Sequence, residues 1–210
     1  IIMKDIIKEI HKKKWKFEPY KKQNWGHWFH SIAPYVGRIK PAFAHWIIKD
    51  STNKNDVILD PFCGVGTVLL ESDLLGRKSV GVDLNPYAIR IAKAKFDRNG
   101  LDKEIKFLEN IKIETMNINL SKIPKEIKEY YHPKTLKEII CLINILNKQK
   151  KHFLFGCLLG IIHGHRPQHL SMRTGYILPY IPSPKPIAEY RELIPRMISK
   201  IKRMYKDEIK

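Results

Sequence analysis

Residues 57–100 predict an α/β fold built on a Rossmann-like, doubly wound parallel sheet, on three observations. Val57, Ile58 and Leu59 form a short apolar run closed by Asp60 and Pro61, the pattern of a buried strand. Gly64 and Gly66 follow at once in a turn that leads into a helical stretch. A second short run, Ser79 to Val82 by position, ends in another acid, Asp83. Strand, glycine turn, helix, strand, acid, helix is the first half of a nucleotide-binding sheet.

The other elements follow in order. Residues 1–28 form a basic, aromatic N-terminal arm in which Lys12, Lys13, Lys14 and Lys16 interleave with Trp15 and Phe17, and Lys21 and Lys22 precede Trp25 and Trp28. Such lysines suit phosphates, and the aromatics either stack on bases or cover the core. Lys13, Lys14 and Lys16 are the arm's candidate nucleic-acid contacts. Phe43, Trp46 and Ile47 are spaced as a helix over 41–49, closed by a polar loop at 50–53. Val68, Leu69, Ser72 and Leu75 predict a helix over 67–75, with Gly76 as its left-handed cap. Asn85 and Pro86 open another helix, the proline at its first position and Gly100 beyond its end.

After Gly100 the pattern becomes helical. Leu101, Ile105, Leu108 and Ile111 favour a helix over a third strand, with Asp102 as N-cap. A second helix is predicted at 133–146, and a nearly all-apolar, buried one at 152–163. Prolines make 171–186 an extended loop, and 187–210 returns as a basic amphipathic helix interrupted by Pro195. The chain thus divides into the arm, a nucleotide-binding half at 29–100, and a helical insertion at 101–210. With two strands readable, the sheet is expected to be incomplete, because two strands do not cover their own faces.

Composition narrows the function classes. Lys plus Arg number 39 against 21 Asp plus Glu, a formal charge of +18 in 210 residues. A surplus of this size opposes compaction unless an anion is bound, and polyphosphate is the usual partner. Lysine enrichment also occurs as a stability habit of heat-adapted chains, but there glutamate usually balances it. The longest apolar run, 153–162, is far short of the roughly 20 residues that span a bilayer. The opening residues lack the pattern of a secretion leader. Cys63, Cys141 and Cys157 are odd in number and widely spaced, which argues against a disulfide framework and fits a reducing cytosol. A cytoplasmic protein with a nucleic-acid partner is the expectation.

The turn itself indicates a ligand. Gly64 and Gly66 strip side chains from the mouth of the first strand, and the helix beginning near Thr67 directs free amides there. Asp83, 17 residues after Gly66, is placed to accept both hydroxyls of a ribose, which favours an adenosine ligand. Leu69 and Leu70 occupy the place of a third glycine, so the dinucleotide pattern fails. No Gly-Lys-Ser/Thr follows either, which excludes a triphosphate loop.

Asp60, Pro61, Phe62, Cys63, Gly64, Val65, Gly66 and Thr67, followed by Gly81, Val82, Asp83, Leu84, Asn85 and Pro86, resemble the S-adenosylmethionine site of amino-group DNA methyltransferases. Those enzymes modify adenine N6 or cytosine N4 of DNA, commonly within restriction–modification systems. The resemblance implies that the first stretch wraps the methionine moiety of the cofactor and that Asp83 holds its ribose. Upstream, His30, Tyr35, Gly37, Lys40 and Pro41 look like the family's segment that closes over the cofactor. The implied cofactor contacts are therefore His30, Tyr35, Asp60, Pro61, Phe62, Cys63, Gly64, Gly66, Thr67, Asp83 and Leu84. His132 to Ile139, then Gly160 to Gly164, look like a helical insertion found in a subset of these methylases.

The family's catalytic motif, an Asp, Asn or Ser followed by Pro-Pro and an aromatic, holds the amino hydrogens and stacks on the flipped base. No Pro-Pro pair occurs in this sequence. Asn85, Pro86 and Tyr87 lack one proline, and Ser183, Pro184 and Lys185 lack a proline and the aromatic, so no catalytic residue is assigned. The expectation is a split enzyme whose second polypeptide carries the motif, or a truncated copy. The rivals are an inert cofactor- and DNA-binding half, and an RNA guanine-N2 methyltransferase, which shares the Asp-Pro-Phe-Cys-Gly turn. His163, His165 and His169 lack a fourth ligand for zinc, and a DNA-facing loop using Arg166 and Arg173 is preferred. Cys63 does not follow a proline, so a cytosine-C5 nucleophile is unsupported.

Overall fold

A computed structural model describes residues 8, 10, 12, 14–22, 25–164, 166–172 and 188–206. They form two compact units: residues 1–30 with 34–96, and residues 31–33 with 97–210. Among the described residues the elements alternate in the first unit and are all helical in the second.

The first unit carries α1 (Pro41–Ser51), β1 (Val57–Asp60), α2 (Thr67–Leu74), β2 (Lys78–Gly81) and α3 (Pro86–Ala94). Strands β1 and β2 pair in parallel, with Ile58 opposite Ser79, Leu59 opposite Val80 and Asp60 opposite Gly81. Parallel pairing demands a crossover, and α2 supplies it. Pro41 and Pro86 stand at the first turns of α1 and α3, where a missing N–H costs nothing. Asn85 caps α3 by accepting from the Tyr87 amide at 3.0 Å. Phe29, Ala42, Ala44, Trp46 and Ile48 join Leu69, Leu70, Ala88, Ile91 and Ala92 in the core.

One expectation is corrected here. The two strands are not buried on both faces: Val57 and Leu59 are 66% exposed and Val80 is 53% exposed. Burial alternates along each strand, because a two-stranded sheet has one face covered by helices and the other open.

The second unit carries α4 (Leu101–Asn110), a single turn α5 (Lys125–Lys128), α6 (Pro133–Lys148), α7 (His152–Leu159) and α8 (Leu193–Met204). Leu136, Ile139, Leu142 and Leu146 of α6 are buried, as are Phe153, Leu154, Cys157 and Leu158 of α7 and Met197, Ile201 and Met204 of α8. Gly160 lets the 31–33 segment pass closely, since a Cβ there would stand 2.0 Å from the Ile32 carbonyl oxygen. Lys200 donates to the Ser31 carbonyl at 2.8 Å, and burial lowers its pKa to about 8.

Two boundary expectations fail for local reasons. Gly100, not Asp102, is the N-cap of α4; Asp102 sits in the first turn, where it complements the helix dipole. Pro195 does not interrupt α8, because the helix begins at Leu193 and places the proline where its absent N–H is not needed. The proline-rich stretch 173–187 lies outside the described residues.

Candidate functional site

In the first unit, a cleft of about 290 Å³ opens beside the carboxyl ends of β1 and β2, lined by Tyr35, Gly37, Arg38, Ile39, Asp60, Phe62, Cys63, Gly64, Val65, Thr67, Val68 and Asp83. Parallel strands end on one side, so the turns that leave them converge there. Gly64 has φ +48°, a conformation that favours glycine. In it, the Gly64 amide donates to Asp83 Oδ2 at 2.8 Å. The other oxygen, Oδ1, accepts from the Asn85 amide at 2.8 Å. Two backbone amides thus orient one carboxylate, and each oxygen retains a second lone pair. The Phe62 amide donates to Asp60 Oδ1 at 3.1 Å, which fixes the strand-end turn.

Of the predicted cofactor contacts, Tyr35, Asp60, Phe62, Cys63, Gly64, Thr67 and Asp83 line this cleft; His30, Pro61, Gly66 and Leu84 do not. Gly66 has φ +70° and meets α3 instead, since a Cβ would sit 3.0 Å from the Ala92 Cβ. Leu84 is 99% exposed, and Pro61 is exposed as well. His30 is buried, with Nε2 2.6 Å from Glu71 Oε1. Of the nucleic-acid candidates, Lys14, Lys16 and Arg166 are exposed, while Lys13 and Arg173 lie outside the described residues.

Sequence reasoning missed a buried ionisable cluster in this unit. Glu71, on α2, bridges His30 and, through Oε2, His45 Nδ1 of α1 at 2.8 Å. Burial lifts the Glu71 carboxyl to about 7, against the pull of Lys95. Burial also lowers Lys95 to about 7, with Arg38 lowering it further and Glu71 opposing. His30 falls to about 2 through burial, followed by the neighbouring Lys95, Arg38 and His27. Lys95 Nζ, His30 Nδ1 and Thr67 Oγ1 are buried without a hydrogen-bond partner among the described residues. The signal was present but cryptic, since Glu71 and His45 occupy ordinary helical positions and Lys95 follows the end of α3.

The segment over the cleft is tied down at three points. Arg38 donates to the His30 carbonyl, the Tyr87 hydroxyl donates to the Pro34 carbonyl at 3.0 Å, and the Tyr35 and Tyr87 rings stack at 6.4 Å. Asn85, Pro86 and Tyr87 therefore cap α3 and anchor this segment. Burial, followed by the Asp60 and Asp83 carboxylates, raises the Cys63 thiol, keeping it a protonated packing group rather than a nucleophile.

Elsewhere, the His163 ring meets Tyr130 edge-on at 5.3 Å, and His165 is outside the described residues. Among the described residues, no group of three His, Cys, Asp or Glu is arranged to hold a metal. No helix among them is long and apolar enough to cross a membrane.

Residues 4–94 match the family model described as DNA methylase. Over 120 residues, 57% of this chain and 21% of the relative, the sequence is 31% identical to the type II methyltransferase M.MjaII of Methanocaldococcus jannaschii. It is 40% identical over 71 residues to the type II methyltransferase M.HpaI of Haemophilus parainfluenzae, covering 33% of this chain and 23% of that protein. It is also 42% identical over 52 residues, 24% of this chain and 16% of the relative, to a tRNA (guanine(10)-N2)-dimethyltransferase of Methanothermobacter thermautotrophicus. No solved structure matches. Over this stretch the chain is similar to DNA methylases. The chain spans about a fifth of the length of the curated relatives it matches.

Proposed function

We propose that the first unit is the cofactor-binding part of an S-adenosylmethionine-dependent DNA methyltransferase acting on an exocyclic amino group of adenine or cytosine. The observation that carries this reading is the bond from the Gly64 amide to the Asp83 carboxylate, which joins the glycine turn of β1 to the acid after β2 at one cleft. The residues present suit such a ligand: Asp83 offers two oriented acceptor oxygens to ribose hydroxyls. The exposed Phe62 ring and Tyr35 offer apolar surface, and Arg38 offers a cation to the ligand's carboxylate. Thr67 Oγ1, buried at the cleft wall without a partner among the described residues, offers a polar group that the fold itself does not use. When bound, the cofactor supplies a sulfonium methyl group as electrophile. The chain's part is to grip the sugar, wrap the methionine end and exclude water. No residue of this sequence is assigned to the methyl-transfer step, and DNA is the partner that the likeness to DNA methylases supports.

Titration calorimetry with S-adenosylmethionine tests the reading. The wild-type chain is expected to give a binding isotherm that Asp83→Ala removes, and equal heats for the two would reject the ribose role. The tRNA-modifying relative supports a second reading, an RNA guanine-N2 methyltransferase. Comparing duplex DNA with structured RNA as binding partners separates the two.

A further inference from the structure

The second unit carries an open groove of about 620 Å³ bounded by α4, the residues after it, α6 and the start of α7. Of the nine residues that line it, four are lysine (Lys103, Lys106, Lys112 and Lys151) and none is acidic. The charge is sorted by helical geometry. On α4, positions 103, 106, 107 and 110 follow the spacing of one helix face, and they put two lysines, Phe107 and Asn110 on the groove wall. The acids of the same helix lie off that face. Glu104 is buried and accepts from Asn99 at 2.9 Å, and Asp102 and Glu109 fall about 100° from the middle of that face, on the flank beyond Lys106. Across the groove, the Lys151 ammonium stands 5.0 Å from the Phe107 ring centroid, a cation–π interaction. The groove wall thus presents four lysines and no carboxylate, with only the buried Glu104 acting on Lys151 from behind it, and in a chain at +18 such a wall favours an anion.

We propose that this groove is a docking site for the phosphate backbone of duplex DNA. The inference rests on the DNA-methylase reading for its choice of polyanion, and on the groove alone for its location. A groove that is open to solvent and lined by several lysines suits a polymer with repeated phosphates better than a single small anion. None of these lysines stands out in the sequence as the N-terminal basic cluster does, because the stripe appears only when 101–110 is coiled into a helix.

The test is fluorescence anisotropy of a labelled duplex against the full chain, from 50 to 200 mM salt. Lys103 and Lys106 are exposed, so Lys103→Glu/Lys106→Glu is expected to leave the helical circular dichroism and the calorimetric response to S-adenosylmethionine unchanged. It should weaken duplex binding about tenfold and reduce the salt slope by about two, one for each phosphate that is no longer neutralised. The milder Lys103→Gln/Lys106→Gln should give a smaller loss in the same direction. A matched reversal elsewhere in the unit, Lys122→Glu/Lys125→Glu, controls for bulk charge and is expected to cost much less. Equal losses for groove and control variants, or no loss for either, would overturn the groove while leaving the methylase reading intact. Tighter groove-dependent binding of an RNA hairpin than of the duplex would overturn DNA as its occupant. A wild-type chain that binds no duplex would overturn the groove proposal, while the calorimetric response to S-adenosylmethionine decides the cofactor reading separately.

Discussion

Glu71 concentrates the electrostatics of the first unit. Its two oxygens hold histidines from either side, Lys95 faces it, and Arg38 and His27 act on the same group of charges. Their titrations oppose one another. Glu71 moves from its ordinary 4.5 to about 7 in the folded chain, so between those values the folded state holds the extra proton and stability falls as pH rises. His30 moves from 6.5 to about 2, so within that window the unfolded state holds the extra proton and stability falls as pH drops. His45, also lowered by burial, adds to the second trend, and Lys95 acts only above about pH 7. From about 4.5 to 6.5 the Glu71 and His30 slopes offset. Glu71→Gln removes one of them. Urea midpoints for this variant are expected to fall on acidification across that window more steeply than for the wild type. Parallel pH profiles would show that the carboxyl does not titrate in this way.

At the scale of elements, the junction of α2 with α3 sets the site. Gly66 precedes α2 in the left-handed region, and a Cβ there would crowd Ala92. Gly66→Ala combines a left-handed alanine, about 1–2 kcal/mol, with a steric push on α3. The expected result is a loss of about 2 kcal/mol in urea unfolding, together with a weaker response to S-adenosylmethionine, since α3 carries the Tyr87 that holds Pro34 and Tyr35 beside the cleft. An unchanged midpoint would contradict the close packing. The elements themselves were largely legible. The runs ending at Asp60 and Asp83, the helix after Gly66 and the proline-started helix all occur, because each has its own local signal in period, cap or proline position. What was misread concerned register and partners. Asp102 loses the cap to Gly100 because backbone geometry, not side-chain type, selects the N-cap. Pro195 is harmless because α8 starts only two residues earlier.

At the scale of the whole molecule, a charge of +18 works against any compact state through self-repulsion. The thermal midpoint is therefore expected to rise between low salt and about 0.2 M salt, where screening shortens to under about 10 Å; a salt-independent midpoint would mean that the lysines are already neutralised in pairs. The order of elements, the glycine turn, the acid after the second strand and the basic excess are all readable from the residues alone, since each depends on neighbours within a few positions. It took the folded chain to show that Gly66 packs against a helix while Gly64 lines the cleft, that Glu71, His30, His45 and Lys95 share one buried cluster, and that lysines line one groove. Those relations join residues tens of positions apart, and burial and distance, which set pKa and packing, exist only once the chain has closed on itself.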